Sequence, residues 1–126
     1  MFTWLQKGDY KAWAKESASH QSTGPHGGKV RTFVNATLET SLTAKNAQHP
    51  KGAASVKEFV DAADQVTGWA VRLKTQDDSA KGAGWYWYEV FSTTSGQSPI
   101  EGQGKALCAN CHAGGADYVL IPFPLK

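Results

Sequence analysis

The chain has two cysteines, and both stand in one pentapeptide, CANCH, at residues 108–112, with fourteen residues after it. Cys-x-x-Cys-His is the pattern of a haem attached through two thioethers, with the histidine on the iron. It constrains the fold because a chain carrying a flat, largely apolar disc near its C-terminus must leave a surface for that disc. Two other readings of the cysteines are weaker. A disulfide between Cys108 and Cys111 accounts for the pair but not for His112 directly behind it. A structural zinc ion needs two further ligands, and His20, His26 and His49 show no paired spacing.

The rest of the sequence describes one domain, residues 1–126, long enough to bury a core. With 40% hydrophobic, 19% charged and 11% aromatic residues, the composition is that of an ordinary folded protein. A formal net charge of +2, evenly spread, argues for neither nucleic acid nor an anionic membrane surface. No apolar run reaches the roughly 18–20 residues of a membrane span. The opening MFTWLQKGDY is too polar for a secretory leader. Since covalent haem attachment normally takes place outside the cytoplasm, the expected location is periplasmic or otherwise exported, with the leader removed.

Patterning predicts a helix over about 9–19, a sheet over about 28–92 and a haem-attachment segment over about 103–121. In GDYKAWAKESA, Asp9 can cap a helix whose Tyr10, Trp13, Ala14 and Ser17 share one face. Gly24, Pro25, Gly27 and Gly28 break the chain before VRTFVNATL, a strand rich in β-branched residues. TSLTAKNAQ reads as a short helix ended by His49-Pro50. ASVKEFVD, TGWAVRLKT and GWYWYEVF read as three more strands. GKALCANCH reads as a short helix bearing the attachment site, and ADYVLIPFPL as an apolar tail that crosses the haem or closes the sheet. The fold class is α+β, a mainly antiparallel sheet with flanking short helices. Asn35-Ala36-Thr37 matches a glycosylation pattern inside the first strand and is treated as coincidence.

The iron's second axial position decides between electron transfer and ligand chemistry. Met1 is the sole methionine, and none follows the motif. His20, His26 and His49 read as loop histidines with solvated side chains, the alternative being a loop folded over the haem face that supplies a histidine as sixth ligand. The favoured reading is a five-coordinate iron with an open distal site. On alternating strands Phe33 shares a face with Arg31 and Asn35, and Phe59 with Lys57. In WYWY one face receives both tryptophans and the other both tyrosines, so one pair is expected in the core.

Four features together resemble the cytochrome P-460 family and its relatives, the β-sheet cytochromes c-prime. They are the near-C-terminal CANCH followed by ADYV, the early HGGKVRTFVN, the turn and strand HPKGAASVKEFV, and the aromatic strand GAGWYWYEVF. The resemblance spans roughly residues 26–121. It implies a homodimeric, mainly antiparallel fold binding one haem c, with Cys108 and Cys111 as the thioether residues and His112 as the proximal ligand. Cytochromes P-460 oxidise hydroxylamine and carry a lysine–porphyrin cross-link, for which Lys57 is the candidate. The c-prime relatives lack that link and bind nitric oxide or carbon monoxide in a phenylalanine-lined pocket, for which Phe33 and Phe59 are the candidates. Hydroxylamine oxidation also wants a proton acceptor, and Glu58 and Glu89 are the strand carboxylates available. The expected function is binding of a small gaseous or nitrogen-oxide ligand. The alternatives are an oxidoreductase acting on hydroxylamine or nitric oxide, and a six-coordinate electron carrier with a redox partner protein.

Overall fold

The computed structural model describes residues 1–126. Seven strands form one open sheet, antiparallel at every pairing, with three short α-helices around it. The strands are β1 (Ala14–Lys15), β2 (His20–Gln21), β3 (Lys29–Val34), β4 (Ala54–Val60), β5 (Val66–Lys74), β6 (Trp85–Val90) and β7 (Ile100–Gln103). They run in the order β1-β3-β4-β5-β6-β7, with β2 beside β1 along the outer edge of β3. The chain is thus mixed α+β, as its patterning predicts. No helix is long and apolar enough to cross a membrane.

The expected helix over 9–19 is not formed. Helix α1 spans Phe2–Lys7 and stops at Gly8, whose φ of 75° lies in the left-handed region that glycine enters without a Cβ penalty. A single 3₁₀ turn, Asp9–Ala12, follows, and Ala14–Lys15 then pairs with β3. Tyr10 does face the core, but sheet pairing takes the backbone that a longer helix would need. The first strand is also shorter than VRTFVNATL suggests. Asn35 ends it by accepting a hydrogen bond from the Leu38 N–H, capping α2 (Ala36–Thr43).

Register assigns each strand residue to a face. One face carries Phe33, Val56, Val71 and Tyr88 in a row across β3–β6, and α1 with its 3₁₀ turn covers it. Leu5, Tyr10, Trp69 and Val90 complete this core. Each such side chain contributes about 1.5–3 kcal/mol on full burial. The Tyr10 hydroxyl donates to Glu58 at 2.6 Å and accepts from the Trp69 indole at 2.9 Å. Glu58 is thereby absorbed into the core.

The opposite face carries Ser55, Arg72 and Trp87 in one row and Thr32, Lys57, Ala70 and Glu89 in the next. Helix α3 (Ala106–His112), which is ALCANCH, packs here through Ala109, together with Trp85, Trp87, Val34, Leu38 and Val119. Both aromatic pairs of WYWY are therefore covered, because each face of the sheet has its own core. Of the tyrosines, Tyr88 is buried and Tyr86 half-buried. The C-terminal tail adds no strand; it folds back over this second core through Ile121 and Leu125.

Candidate functional site

Helix α3 presents two free thiols, Cys111 exposed and Cys108 half-buried. Burial, reinforced by the Glu89 charge, raises the Cys108 thiol. His112 ends the helix and turns back onto the sheet, its ring 4.8 Å from that of Trp87. Its Nδ1 lies 3.2 Å from the Tyr118 carbonyl and 3.1 Å from Arg72 Nη1. No hydrogen bond engages Nε2. Burial, then the Arg72 and Lys57 cations, pushes the imidazole down to about 3, so at neutral pH the ring is uncharged and can offer a nitrogen lone pair.

Arg72 is buried at 5% exposure, and no carboxylate pairs with it. Its Nε donates to Ser55 Oγ at 2.9 Å and its Nη1 to the Tyr118 carbonyl at 2.8 Å. Burial lowers the guanidinium to about 9, which leaves it cationic at neutral pH. Lys57, one row along, is lowered by burial and by Arg72, against the opposing pull of Glu16 and Glu89.

Farther along the same face, His26 stacks on Phe59 at 5.7 Å, and Phe59 on Phe91 at 5.3 Å. Gly68 makes room for this stack: a Cβ there would sit 3.1 Å from the Phe59 ring and 2.3 Å from the Val90 carbonyl. His26 Nδ1 is 2.9 Å from Glu89 Oε1, and its ring is 6.2 Å from that of His112.

The sequence-derived residues therefore divide. Cys108, Cys111, His112, Lys57, Phe59 and Glu89 share one face. Phe33 does not: it stands edge-on to Tyr10 at 5.1 Å in the other core, so a pocket beside His112 draws on Phe59 alone of the two. Glu58 is likewise on the far face. His49 is not a solvated loop residue but is 1% exposed, with Nδ1 2.7 Å from Ser41 Oγ. His20 pairs with Glu16 at 3.0 Å. Sequence reasoning offers Trp87 as one of several strand aromatics and His26 as one of three loop histidines; Arg72, and the choice of Trp87 and His26 from those sets, lie beyond it, because register across strands assembles them.

These residues fit the haem that CANCH implies. A buried, carboxylate-free guanidinium, Arg72, and the half-buried Lys57 suit a group that carries carboxylates. Phe91, Leu107 and Leu120 are the large hydrophobic side chains, besides Met1, left exposed. Leu107 adjoins Cys108 and Phe91 stacks on Phe59, so two of them border the site that an apolar disc would cover. The Trp87 indole N–H is buried without a partner. A surface hollow of about 490 Å³ elsewhere, lined by Asn46, Gln48, His49, Pro50, Asp77 and Asp78, has no hydrophobic lining and contains none of the CANCH residues.

No model of a known protein family matches the chain, and no curated protein matches it significantly.

Proposed function

We propose that the chain is a mono-haem c-type cytochrome whose iron, held by His112, is open on its other side to small ligands such as nitric oxide or carbon monoxide. The observation that carries the reading is His112 itself. It closes a CANCH helix, its Nδ1 faces a backbone carbonyl, and its Nε2 is free, which is how a metal-bound histidine is usually oriented. Cys108 and Cys111 would hold haem c, which would supply an iron centre for a diatomic ligand. The chain's residues select what enters: the stacked Phe59 and Phe91 give an apolar wall beside the His26–Glu89 pair, which suits nearly neutral ligands such as nitric oxide or carbon monoxide. A homodimer, an exported location and a redox partner protein belong to this reading through the resemblance to the β-sheet cytochromes c-prime.

One observation favours a second reading, hydroxylamine oxidation in the manner of a cytochrome P-460. Lys57 is held on the His112 face with its ammonium destabilised by burial and by Arg72. A lysine made neutral is a nucleophile, as a porphyrin cross-link requires. Glu89, paired with His26, is the carboxylate of that face able to accept a proton.

Intact mass in denaturant, after expression with a haem-attachment system, tests the first step. The expected result is the chain plus one haem, lost entirely when Cys108 and Cys111 are both replaced by Ala. Unmodified mass in the parent chain contradicts the proposal. A strongly red-shifted ferrous Soret band with hydroxylamine turnover would select the second reading.

A further inference from the structure

We infer that Arg72 is a positioning residue for the axial histidine: it holds His112 as a weakly donating, neutral imidazole and thereby raises the reduction potential of the iron. The inference rests on the haem reading above.

Two donors converge on one acceptor. The Tyr118 carbonyl faces Arg72 Nη1 at 2.8 Å and His112 Nδ1 at 3.2 Å, and the two nitrogens are 3.1 Å apart. A guanidinium has no acceptor. If Nη1 donated to Nδ1, the imidazole proton would sit on Nε2 and block a metal there. Ligation through Nε2 therefore puts the proton on Nδ1, directed at Tyr118, and leaves Arg72 as the competing donor to the same oxygen. Sharing weakens the pull of the carbonyl on the Nδ1 proton. The adjacent positive charge, little screened in a buried site, opposes any drift toward imidazolate. It also disfavours the more positively charged ferric state. Both effects raise the potential, through hydrogen bonding behind the ligand and local charge.

The surrounding fold holds this arrangement at a cost. A cation buried without a counter-ion is destabilising where an apolar residue of similar volume would be neutral or better, yet Ser55 anchors Arg72 in place. Asp117 and Tyr118 are consecutive non-glycine residues in the left-handed region, with φ of 48° and 66°, a conformation that persists only where the surroundings enforce it. The enforcement is visible. The Asp117 carboxylate accepts from Lys74 Nζ, Ser79 Oγ and the His49 N–H. Gly82 leaves room for the Tyr118 ring, which a Cβ there would approach to 3.1 Å.

The test uses the haem-loaded protein and its Arg72→Gln and Arg72→Lys variants, read by spectroelectrochemical titration and by the ferrous iron–histidine stretching band in resonance Raman. Arg72→Gln should lower the midpoint potential and move the stretching band to higher frequency. Arg72→Lys, which keeps the charge, should stay closer to the parent in potential. A loaded Arg72→Gln protein with parental potential and frequency overturns the inference, since a merely structural arginine would move neither. If that variant does not fold, the parent decides: a band at the low frequency of a weakly bonded neutral imidazole supports the inference, and one at the high frequency of an imidazolate-like ligand overturns it. A chain that attaches no haem overturns the functional reading and this inference with it. Attached haem with an unaltered potential overturns this inference alone.

Discussion

His26 and His112 bring their imidazole rings to 6.2 Å across one face of the sheet, at an interplanar angle of 54°. The first comes from the glycine-rich loop before β3 and the second from helix α3. Glu89 engages His26 Nδ1, and Tyr118 and Arg72 surround His112 Nδ1, so the second ring nitrogen of each is free. Of the three histidines outside CANCH, His26 is thus the one positioned to reach an iron. An open site predicts that ferrous protein is high-spin before any substitution and stays so in His26→Ala. A low-spin parent that turns high-spin in His26→Ala would make His26 the sixth ligand and the protein an electron carrier. Electronic absorption and electron paramagnetic resonance spectra distinguish the two.

The two phenylalanines separate pocket from core. Phe59→Ala removes the ring between His26 and Phe91 and should change carbon monoxide affinity or dissociation rate several-fold. Phe33→Ala empties the opposite core and should cost about 3–5 kcal/mol of stability, with little change in ligand binding. Flash photolysis and urea denaturation measure the pair; equal effects of both substitutions on ligand kinetics would contradict the division between faces.

His112→Ala should keep the haem on its thioethers while removing the axial bond, so intact mass still shows one haem added to the variant chain and the ferrous and ferric spectra both shift. An unchanged spectrum would mean that another residue ligates the iron.

Lys74 and Asp117 form an ion pair with side-chain exposures of 0% and 3%. Asp117→Asn leaves the Lys74 charge buried without its partner and should cost about 3–5 kcal/mol; a loss below about 1 kcal/mol on the same urea scale would show that the pair is relieved by water.

Acid stability follows from the same cluster. Burial pushes the Asp117 carboxyl up, but hydrogen bonds from Lys74, Ser79 and the His49 amide outweigh it and hold the group below its ordinary value. Its contribution is present above the unfolded value of about 4 and is lost as pH falls through the lower folded value. Burial, the largest influence, and the Arg72 and Lys74 charges lower His49 in spite of Asp117. The unfolded chain therefore takes up a His49 proton first, near pH 6.5, and stability declines as pH drops through that range. In the haem-free chain, where His112 is also lowered, to about 3, denaturation at pH 7, 6 and 5 should show the decline and His49→Gln should reduce it, leaving the share that His112 contributes; an identical slope in the variant would mean that His49 is charged in the fold.

Much of the sheet is legible in the sequence. ASVKEFV, VTGWAVRLK and WYWYEV are dense in β-branched and aromatic residues and bounded by turn formers, and they are β4, β5 and β6. Helix α3 is equally legible from GKALCANCH. The N-terminal segment is not, because Tyr10 and Trp13 satisfy helical spacing while Ala14 and Lys15 are claimed by β3, a long-range pairing that local pattern does not encode. Nor does alternation alone say that both faces of the sheet are covered, so Phe33 and Phe59 look equivalent until the register separates them. Arg72 illustrates the limit most clearly. Within TGWAVRLKT it is one of two charged residues in an otherwise apolar strand, and its relation to His112 exists only once β5 and the end of α3 meet.

The ferrous absorption spectrum, recorded before and after carbon monoxide, tests the central claim most directly. A haem held by His112 with an open opposite side predicts a high-spin spectrum whose Soret band shifts and sharpens when the gas is added. Sharp low-spin bands that carbon monoxide leaves unchanged would contradict it.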